Sequence, residues 1–531
     1  MRMTATRSIL VSAVVGGTLA AVPSLSFGLT QIDTNAPGKS VDKDIFGSTF
    51  QHHRQWVKTG NNASMVGIAG GLLADSFNWQ TLTNTSTPWS TYWVMKTLQD
   101  DWNSEFIPIV NMRGFFDVGD NVNFKTGLAP LVTLASDWVR YTNGIIQSGQ
   151  QYGSLSASDK AIIDKINPAG EPVLPGVGEA APPPVKYWII GNEPEAHWYG
   201  TRFTSIPNEQ GIYWSTAEYV NRYKQITSAM KAQDPTIKVG PGMLGANDPI
   251  QMTSAPLLQS DATIDFWAYH SYDNLGDVYV VNGDAFQVNQ MRTALKGVRQ
   301  KQLTALADIK QMFTANGRDP NNVEFMVTEW NPMGNEGGDW TKPSQTSMYK
   351  ALAMAESFFT FADMGVKSAN YWGETVVDNT DPNPSHIYPQ VKLWWKLSDE
   401  MGDTLINSII DNPGNRRVYT TKDSQTGEIK VWGINLSNSS STTINLSLLG
   451  IDPSQTALLS IFGGDGTRYW TEDADWSTPL ALINFNAGNF NLTIPSSSIV
   501  LLQVMPVPEP AMLGLIGLGL LAMRRRRAGD M

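Results

Sequence analysis

The chain contains no cysteine among its 531 residues and only five histidines. The absence of cysteine excludes disulfide bonds, thiolate metal sites and cysteine nucleophiles, so a folded form must be held together by its core. Charged residues make up only 16% of the chain, and the formal net charge is −11. A negative charge of this size argues against nucleic acid as a partner.

Aromatic residues, in contrast, are abundant, with 18 Trp and 16 Tyr. Flat aromatic faces stack on sugar rings, which fits a protein that handles carbohydrate, although a large buried core uses aromatic side chains equally well. The hydrophobic fraction of 41% is typical of a globular protein. A chain of this length accommodates a large barrel together with a second domain.

The first 28 residues read as a targeting segment. Arg2 and Arg7 precede an apolar run, and small residues ending in Gly28 follow it. This order predicts a signal peptide that signal peptidase removes after Gly28. An uncleaved membrane anchor is the alternative interpretation.

The last 26 residues, 506–531, read as a second targeting segment. A Pro508-Glu509-Pro510 triplet precedes the apolar stretch Ala511–Met523, and four arginines follow it. A short apolar helix stopped by arginines is typical of membrane arrest. The three parts, in this order, resemble the PEP-CTERM sorting signal of Gram-negative bacteria. The resemblance implies transient membrane association through this segment, processing by an exosortase, and an extracellular or cell-surface location. A plain anchor would need a longer apolar stretch.

Residues 45–400 alternate short apolar runs with helical patterns, of which Thr216–Gln233 and Leu303–Asn316 are the clearest. The alternation predicts βα units and a parallel sheet. Eight candidate strands occur, the number that a closed (β/α)8 TIM barrel needs. They are Ile45–Phe50, Met65–Ala69, Phe106–Asn111, Lys186–Ile190, Ile237–Val239, Phe266–His270, Glu324–Thr328 and Ser368–Trp372.

Residues 401–505 are richer in Thr, Ser, Asn and Gly, and their short β-type runs alternate with turns. This composition and this alternation predict an all-β antiparallel sandwich. Its candidate strands are Val418–Thr421, Ile429–Leu436, Thr442–Leu448, Ala457–Phe462, Asn489–Ile494 and Ser498–Val504. Residues 29–44 form an N-terminal segment that can add a strand to this sandwich. The expected fold is therefore α/β, with a TIM barrel followed by a β-sandwich.

Two glutamates stand just after candidate strands, where a TIM barrel collects its active site. Glu193 follows the fourth strand within Gly191-Asn192-Glu193-Pro194, and Glu329 follows the seventh. Glycoside hydrolysis needs such a pair, because one carboxyl group protonates the leaving oxygen while the other attacks the anomeric carbon or activates water. Asn192 is placed to hydrogen-bond the sugar 2-hydroxyl.

The segments around these glutamates, YWIIGNEP at 187–194 and VTEWN at 327–331, resemble clan A glycoside hydrolases. That clan places its acid/base and its nucleophile at these two strand ends and retains the anomeric configuration. The segments at 45–50, 70–79 and 234–241 are similar to families 44 and 51 of the clan, and family 39 is also similar. The resemblance covers roughly residues 29–504.

The resemblance implies roles for further residues. His270 and Tyr272, after the sixth strand, are expected to contact the nucleophile or the sugar, and Trp372 to form the floor of the −1 subsite. We also place Asp75, Trp79 and Trp330 in the substrate cleft. One departure stands out: many clan members carry an arginine on the second strand near the nucleophile, whereas the segment 65–69 has none. Arg54 or Arg113 is a candidate substitute. His52 and His53 match no standard metal-ligand spacing.

The sequence therefore predicts an exported retaining glycoside hydrolase that cleaves a plant-type glucan, xyloglucan or arabinose-containing glycan. Glu329 is the expected nucleophile and Glu193 the general acid/base, at a separation of about 5–5.5 Å, and no cofactor or metal is expected. An acid/base role for the neighbouring Glu195, or a transglycosylase using the same residues, stays open at this point. The rival hypothesis is a catalytically inactive polysaccharide-binding or extracellular matrix protein on the same fold, because fold alone does not fix function.

Overall fold

The structure, a computed structural model, describes residues 29–49, 64–68, 91–110, 116–117, 120–124, 128–166, 173–193, 216–243, 254–281, 285–334, 343–372, 387–410, 414–452, 455–482 and 485–506. The expected signal peptide, residues 1–28, lies outside the described residues. Of the expected sorting segment, only its first residue, Pro506, is described.

Two short strands, β1 (Thr30–Asp33) and β2 (Lys39–Ser40), come first, and eight parallel strands of the described chain then close a barrel in the order of the sequence. The barrel confirms the predicted (β/α)8 fold, and every predicted strand is present with its ends shifted by a few residues. The strands are β3 (Gly47–Thr49), β4 (Ser64–Ile68), β5 (Glu105–Val110) and, after a separate hairpin of β6 (Phe116–Asp117) and β7 (Asp120–Phe124), β8 (Tyr187–Ile190), β9 (Lys238–Met243), β10 (Phe266–Tyr272), β11 (Glu324–Asn331) and β12 (Ser368–Tyr371).

Helices surround the barrel. The α-helices are α1 (Thr91–Trp102), α2 (Leu128–Val139), α3 (Ala157–Ile166), α4 (Thr216–Gln233), α5 (Ser254–Gln259), α6 (Ala285–Ala315), α7 (Pro343–Thr346), α8 (Met348–Met364) and α9 (Pro389–Glu400). Single turns of 3-10 helix occur at Lys43–Phe46, Ile146–Ser148, Tyr152–Ser154, Leu275–Val278 and Pro320–Asn322, and a π-helical turn at Arg140–Ile145. No helix of the described residues combines the length and apolar character needed to cross a bilayer.

Alternation along the strands builds two layers of core. Side chains that point into the barrel form one cluster, which contains Ile107, Ile109, Tyr187, Ile189, Phe266, Ala268 and Met326. The intervening residues, such as Trp188, Trp267 and Val327, point outward into a much larger cluster shared with the helices. Because this period of two fills the amino-terminal part of the barrel with apolar groups, polar side chains are left to collect at the carboxyl ends of the strands.

The C-terminal strands form a sandwich of two sheets, which confirms the predicted second architecture. One sheet of the described chain has the order β1-β16-β19, and the other β18-β17-β20-β15-β14-β13-β2. Residues 30–33 thus pair with the sandwich, in parallel with β16. The strands are β13 (Thr404–Ile410), β14 (Arg416–Lys422), β15 (Ile429–Asn435), β16 (Thr442–Leu449), β17 (Ala457–Phe462), β18 (Leu480–Ala481), β19 (Phe490–Ile494) and β20 (Ser498–Val504).

Helix α8 joins the barrel to the sandwich. It is apolar around most of its circumference because the barrel covers one side and the sandwich the other, and it ends at Gly365 with φ of +66°. Its Glu356, fully buried, accepts hydrogen bonds from Arg417 at 3.1 Å and from Tyr419 at 3.2 Å, both on β14. These contacts satisfy a buried charge that would otherwise be costly at the interface.

Candidate active site

The structure brings the two predicted glutamates to the same end of the barrel. Glu193 comes three residues after the last residue of β8, and Glu329 lies in the final third of β11. Both side chains are buried, with 7% of Glu193 and 5% of Glu329 exposed. An oxygen of each carboxylate and the Nδ1 atom of His270 lie within 4.8 Å of one another. Burying two like charges so closely costs free energy, which is typical of a functional site.

A β-bulge in β11 directs Glu329 into the barrel. Tyr269 pairs with Val327, but the next residue, His270, pairs with Glu329, so Thr328 is an extra residue on β11. An extra residue reverses the inward and outward alternation beyond it. Without it, Glu329 would face the helices and Trp330 the interior. The bulge therefore positions the carboxylate opposite His270.

The backbone at Glu193 is held in a strained conformation. Its φ is +44°, in the left-handed region, after Gly191 at +76°. Two backbone hydrogen bonds fix this turn, from Glu193 N–H to the Gly242 carbonyl at 2.9 Å and from Gly191 N–H to the Val110 carbonyl at 2.8 Å. A left-handed non-glycine residue costs about 1–2 kcal/mol. Such strain persists where the surrounding structure enforces it, as at ligand and catalytic sites.

His270 and Tyr272, both on β10, contact the two carboxylates. His270 Nδ1 lies 2.5 Å from Glu193 Oε1 and 3.3 Å from Glu329 Oε2. The Tyr272 hydroxyl donates a hydrogen bond of 2.7 Å to Glu329 Oε2. Residues 270 and 272 share one face of the strand because side chains alternate with a period of two. The structure thus brings together four of the residues predicted from sequence.

The environment shifts the proton affinity of this site. Burial raises the pKa of Glu329 to about 7, and the negative charge of Glu193 adds to the increase. His270 and the hydrogen bond from Tyr272 act in the opposite direction, towards a lower pKa of Glu329. Burial and the nearby Glu329 carboxylate raise the pKa of Tyr272 well above its usual range, so its hydroxyl stays protonated as a donor. The carboxyl group of Glu329 therefore holds its proton to a higher pH than a solvent-exposed carboxyl group does.

Two further predicted residues, Asn192 and Trp372, lie at the carboxyl ends of β8 and β12. The side-chain oxygen of Asn192, adjacent to Glu193, is buried and accepts no hydrogen bond from the described residues. Trp372 is half-buried and directly follows β12, where its backbone N–H donates to the backbone carbonyl of Trp330 at 2.8 Å. A buried acceptor without a donor is costly unless a ligand or water satisfies it.

Trp330 does not lie in the cleft, in contrast to our expectation. Its side chain is fully buried on the helix side of β11, with ring centroids 5.1 Å from Phe358 and 5.3 Å from Tyr371. The Thr328 bulge is the physical reason, because it turns Trp330 outward as it turns Glu329 inward. Trp330 is a core residue that anchors the strand carrying Glu329.

Several other predicted residues lie outside the described residues. They are Asp75 and Trp79, the alternative acid/base Glu195, the candidate arginines Arg54 and Arg113, and His52 and His53.

The sequence interpretation missed Gly242, which shapes the turn that carries Glu193. A Cβ atom at Gly242 would lie 2.6 Å from the Gly191 carbonyl oxygen and 2.8 Å from the Ile189 side chain. Only glycine lets β9 approach β8 this closely. The signal was present in the sequence as Gly240-Pro241-Gly242 at a strand end, where glycine marks a close backbone approach.

Comparison with solved structures finds the same architecture in glycoside hydrolases. A family 51 arabinofuranosidase from Xanthomonas axonopodis pv. citri matches with a TM-score of 0.60 at 14% identity, covering 90% of this chain and 99% of its own. A family 44 xyloglucanase from Paenibacillus polymyxa matches at 0.59 and 14% identity, covering 90% and 98%. CelM2, a bifunctional glucanase-xylanase from a metagenome library, matches at 0.61 and 14% identity, covering 90% and 99%. At this identity the likeness establishes the fold, and the neighbours are the families that the sequence resembles.

The C-terminal segment matches the PEP-CTERM protein-sorting motif over residues 506–527. The motif points to export, to a surface or extracellular location, and to processing by an exosortase. No curated protein matches the chain significantly.

Proposed function

We propose that this protein is an exported retaining glycoside hydrolase that cleaves a polysaccharide by double displacement. The observation that carries the proposal is the pair of buried glutamates, with oxygens within 4.8 Å, at the carboxyl ends of β8 and β11. Retaining enzymes hold their carboxyl groups about 5–5.5 Å apart, whereas inverting enzymes leave about 6.5–9.5 Å for a water molecule. The short separation favours retention.

The neighbours of each carboxylate support the assignment of roles. Glu329 accepts a hydrogen bond from Tyr272 and faces His270, and both contacts favour its ionised form against the effect of burial, which raises its pKa. An ionised carboxylate is what attack on the anomeric carbon requires. Glu193 would then carry the proton, donate it to the departing glycosidic oxygen, and afterwards deprotonate the incoming water.

The protonation of the site fits this chemistry. Double displacement needs one proton on the pair, and burial of Glu329 keeps a proton in the site up to about pH 7. His270 Nδ1 lies 2.5 Å from Glu193 Oε1 and 3.3 Å from Glu329 Oε2 and so links the two carboxylates.

Substrate contacts follow from the remaining residues. Asn192 offers an unsatisfied buried oxygen to the sugar 2-hydroxyl, and Trp372 offers an aromatic face at the end of β12. Asp75 and Trp79 remain proposed substrate-binding residues from the sequence alone. The substrate class is a plant-type glucan, xyloglucan or arabinose-containing glycan, in keeping with the xyloglucanase, glucanase-xylanase and arabinofuranosidases that share the fold.

The test is hydrolysis of a polysaccharide panel that contains glucans, xyloglucan, xylans and arabinans. The wild type should release reducing ends from at least one polymer, and the first product should keep its anomeric configuration by NMR. Glu329→Gln and Glu193→Gln should each lose more than about 1000-fold in kcat/KM, since both act in the transition state. Glu324→Gln is the matched control, because Glu324 lies on the same strand at the opposite end of the barrel and pairs with Lys238.

The same panel separates hydrolysis from the rival binding function. Binding of a polymer without cleavage, unaffected by Glu329→Gln, would favour a non-catalytic matrix protein. Inversion of configuration in the first product would overturn the assignment of Glu329 as nucleophile.

A further inference from the structure

We propose that Glu193, His270 and Glu329 also form a binding site for a divalent transition-metal ion, with Zn²⁺ as the probe. Inhibition of hydrolysis by that ion rests on the proposed function, whereas the binding site itself does not. The three side chains supply one imidazole nitrogen and two carboxylate oxygens, all converging from the ends of three barrel strands. Catalytic zinc sites typically have three protein ligands and a fourth coordination position that is open to water or substrate.

The spacing of the donor atoms is close to what Zn²⁺ needs. Bonds of about 2.0–2.2 Å in a tetrahedral arrangement place donor atoms about 3.4 Å apart. His270 Nδ1 and Glu329 Oε2 already lie 3.3 Å apart. The pair of His270 Nδ1 and Glu193 Oε1, at 2.5 Å, must open by about 1 Å, which rotation of one carboxylate supplies.

The charge of the cluster favours a cation. Two buried carboxylates face each other, and among the described residues no lysine or arginine pairs with either one. In the barrel, β4 is separated from β8 by β5 and from β12 by β3. Its residues, Ser64–Ile68, include no positively charged side chain. A divalent ion would neutralise both carboxylates in one step. It would replace the proton of the hydrogen bond between His270 and Glu193 and any proton on Glu329, and the displaced protons would leave to solvent.

The surrounding structure holds the ligands in place. Tyr272 donates to the carboxylate of Glu329, and the strained turn at Glu193 is fixed by its bond to Gly242. Outer hydrogen bonds of this kind orient metal ligands and raise affinity. The nitrogen donor favours Zn²⁺ over Mg²⁺ and Ca²⁺, which prefer six or more oxygen ligands.

The experiment measures Zn²⁺ binding to the full chain, stripped of metal, by competition with a chromophoric chelator at pH 7.5. The wild type should take up one equivalent, and Mg²⁺ at the same concentration should not compete. His270→Ala and Glu193→Gln should each weaken binding by more than about 100-fold, the upper end of the loss when only an outer partner is removed. Asp273→Asn is the matched control, since Asp273 is a buried carboxylate next to Tyr272 whose oxygen faces Gln302.

Two results would overturn the proposal. The first is no uptake of Zn²⁺ by the wild type. The second is unchanged affinity in Glu193→Gln, which keeps the shape of the side chain and therefore decides the question even if His270→Ala fails to fold. Unchanged affinity would place the ion elsewhere on the chain.

Hydrolysis assays separate this inference from the proposed function. If the protein cleaves a polymer, Zn²⁺ should inhibit it competitively, and EDTA should restore the rate. Cleavage with no Zn²⁺ uptake would overturn the metal site and leave the hydrolase intact. If the protein binds one equivalent of Zn²⁺ but cleaves no polymer, with or without EDTA, the metal site stands and the proposed hydrolase function fails.

Discussion

Replacing Glu329 with glutamine should make the protein more stable above pH 7 while it removes the proposed activity. Burial raises the pKa of Glu329 from 4.5 to about 7. Between these two values the unfolded chain releases a proton that the folded chain retains. The stability that this group contributes is therefore complete below about pH 4.5 and is lost as the pH rises through 7. Glutamine is neutral at every pH and escapes this loss.

The magnitude follows from the two pKa values of Glu329, about 7 folded and 4.5 unfolded. At about 1.4 kcal/mol per tenfold change in proton affinity, they correspond to about 3 kcal/mol. The unfolding free energy of Glu329→Gln minus that of the wild type should be small at pH 4, rise between pH 5 and pH 7, and level off near this value at pH 8. Titrating groups that do not interact with Glu329 cancel in the difference.

The assay is urea unfolding of both proteins across this pH range, followed by tryptophan fluorescence. Glu356→Gln is the control, because Glu356 is equally buried but paired with Arg417. Breaking that pair should destabilise the fold by about 3–5 kcal/mol at neutral pH. A pH-independent difference between Glu329→Gln and the wild type would refute the reasoning, since it would mean that Glu329 ionises in the fold as freely as in the unfolded chain.

Three further outcomes are expected. Glu193→Gly should be about 1 kcal/mol more stable than Glu193→Ala in urea unfolding, because residue 193 has φ of +44°; equal stability would argue against strain there. Gly242→Ala should lower the unfolding free energy by about 1–3 kcal/mol and reduce kcat, since its Cβ meets the Gly191 carbonyl; full activity would contradict the close approach. Tyr272→Phe should lower kcat and raise the apparent pKa of Glu329 in the pH–rate profile, because the hydroxyl bond favours the ionised form; an unchanged profile would remove Tyr272 from the site.

The barrel and the position of the two glutamates could be predicted because both depend on local patterns. Apolar runs mark the strands, and carboxyl ends of parallel strands meet at one face, so the sequence alone predicts that Glu193 and Glu329 lie together. His270 and Tyr272 follow from the same rule with the period of two. The long helix α6 (Ala285–Ala315) is only half predicted: residues 285–290 are largely exposed, although Met291, Leu295 and Val298 then form a buried apolar face.

Features that depend on one extra or one strained residue could not be predicted. The bulge at Thr328 shifts the alternation of β11, and nothing in Val327-Thr328-Glu329-Trp330 shows which residue is extra; the expectation for Trp330 was wrong for this reason. Strand β13 (Thr404–Ile410) was missed similarly, because an irregularity between Leu405 and Asn407 interrupts its apolar alternation. The positive φ of Glu193 is set by contacts with β9, which are tertiary.

The buried helix α8 has a consequence for the order in which the molecule is assembled. The N–H groups of Met348 and Tyr349 donate to the carbonyls of Thr471 and Tyr469, which enter the chain some 120 residues later. A ribosome therefore completes the whole barrel sequence before the partners of α8 exist. Until then the side of α8 that packs against the sandwich remains exposed, so a nascent or truncated barrel is prone to aggregate until the sandwich is complete.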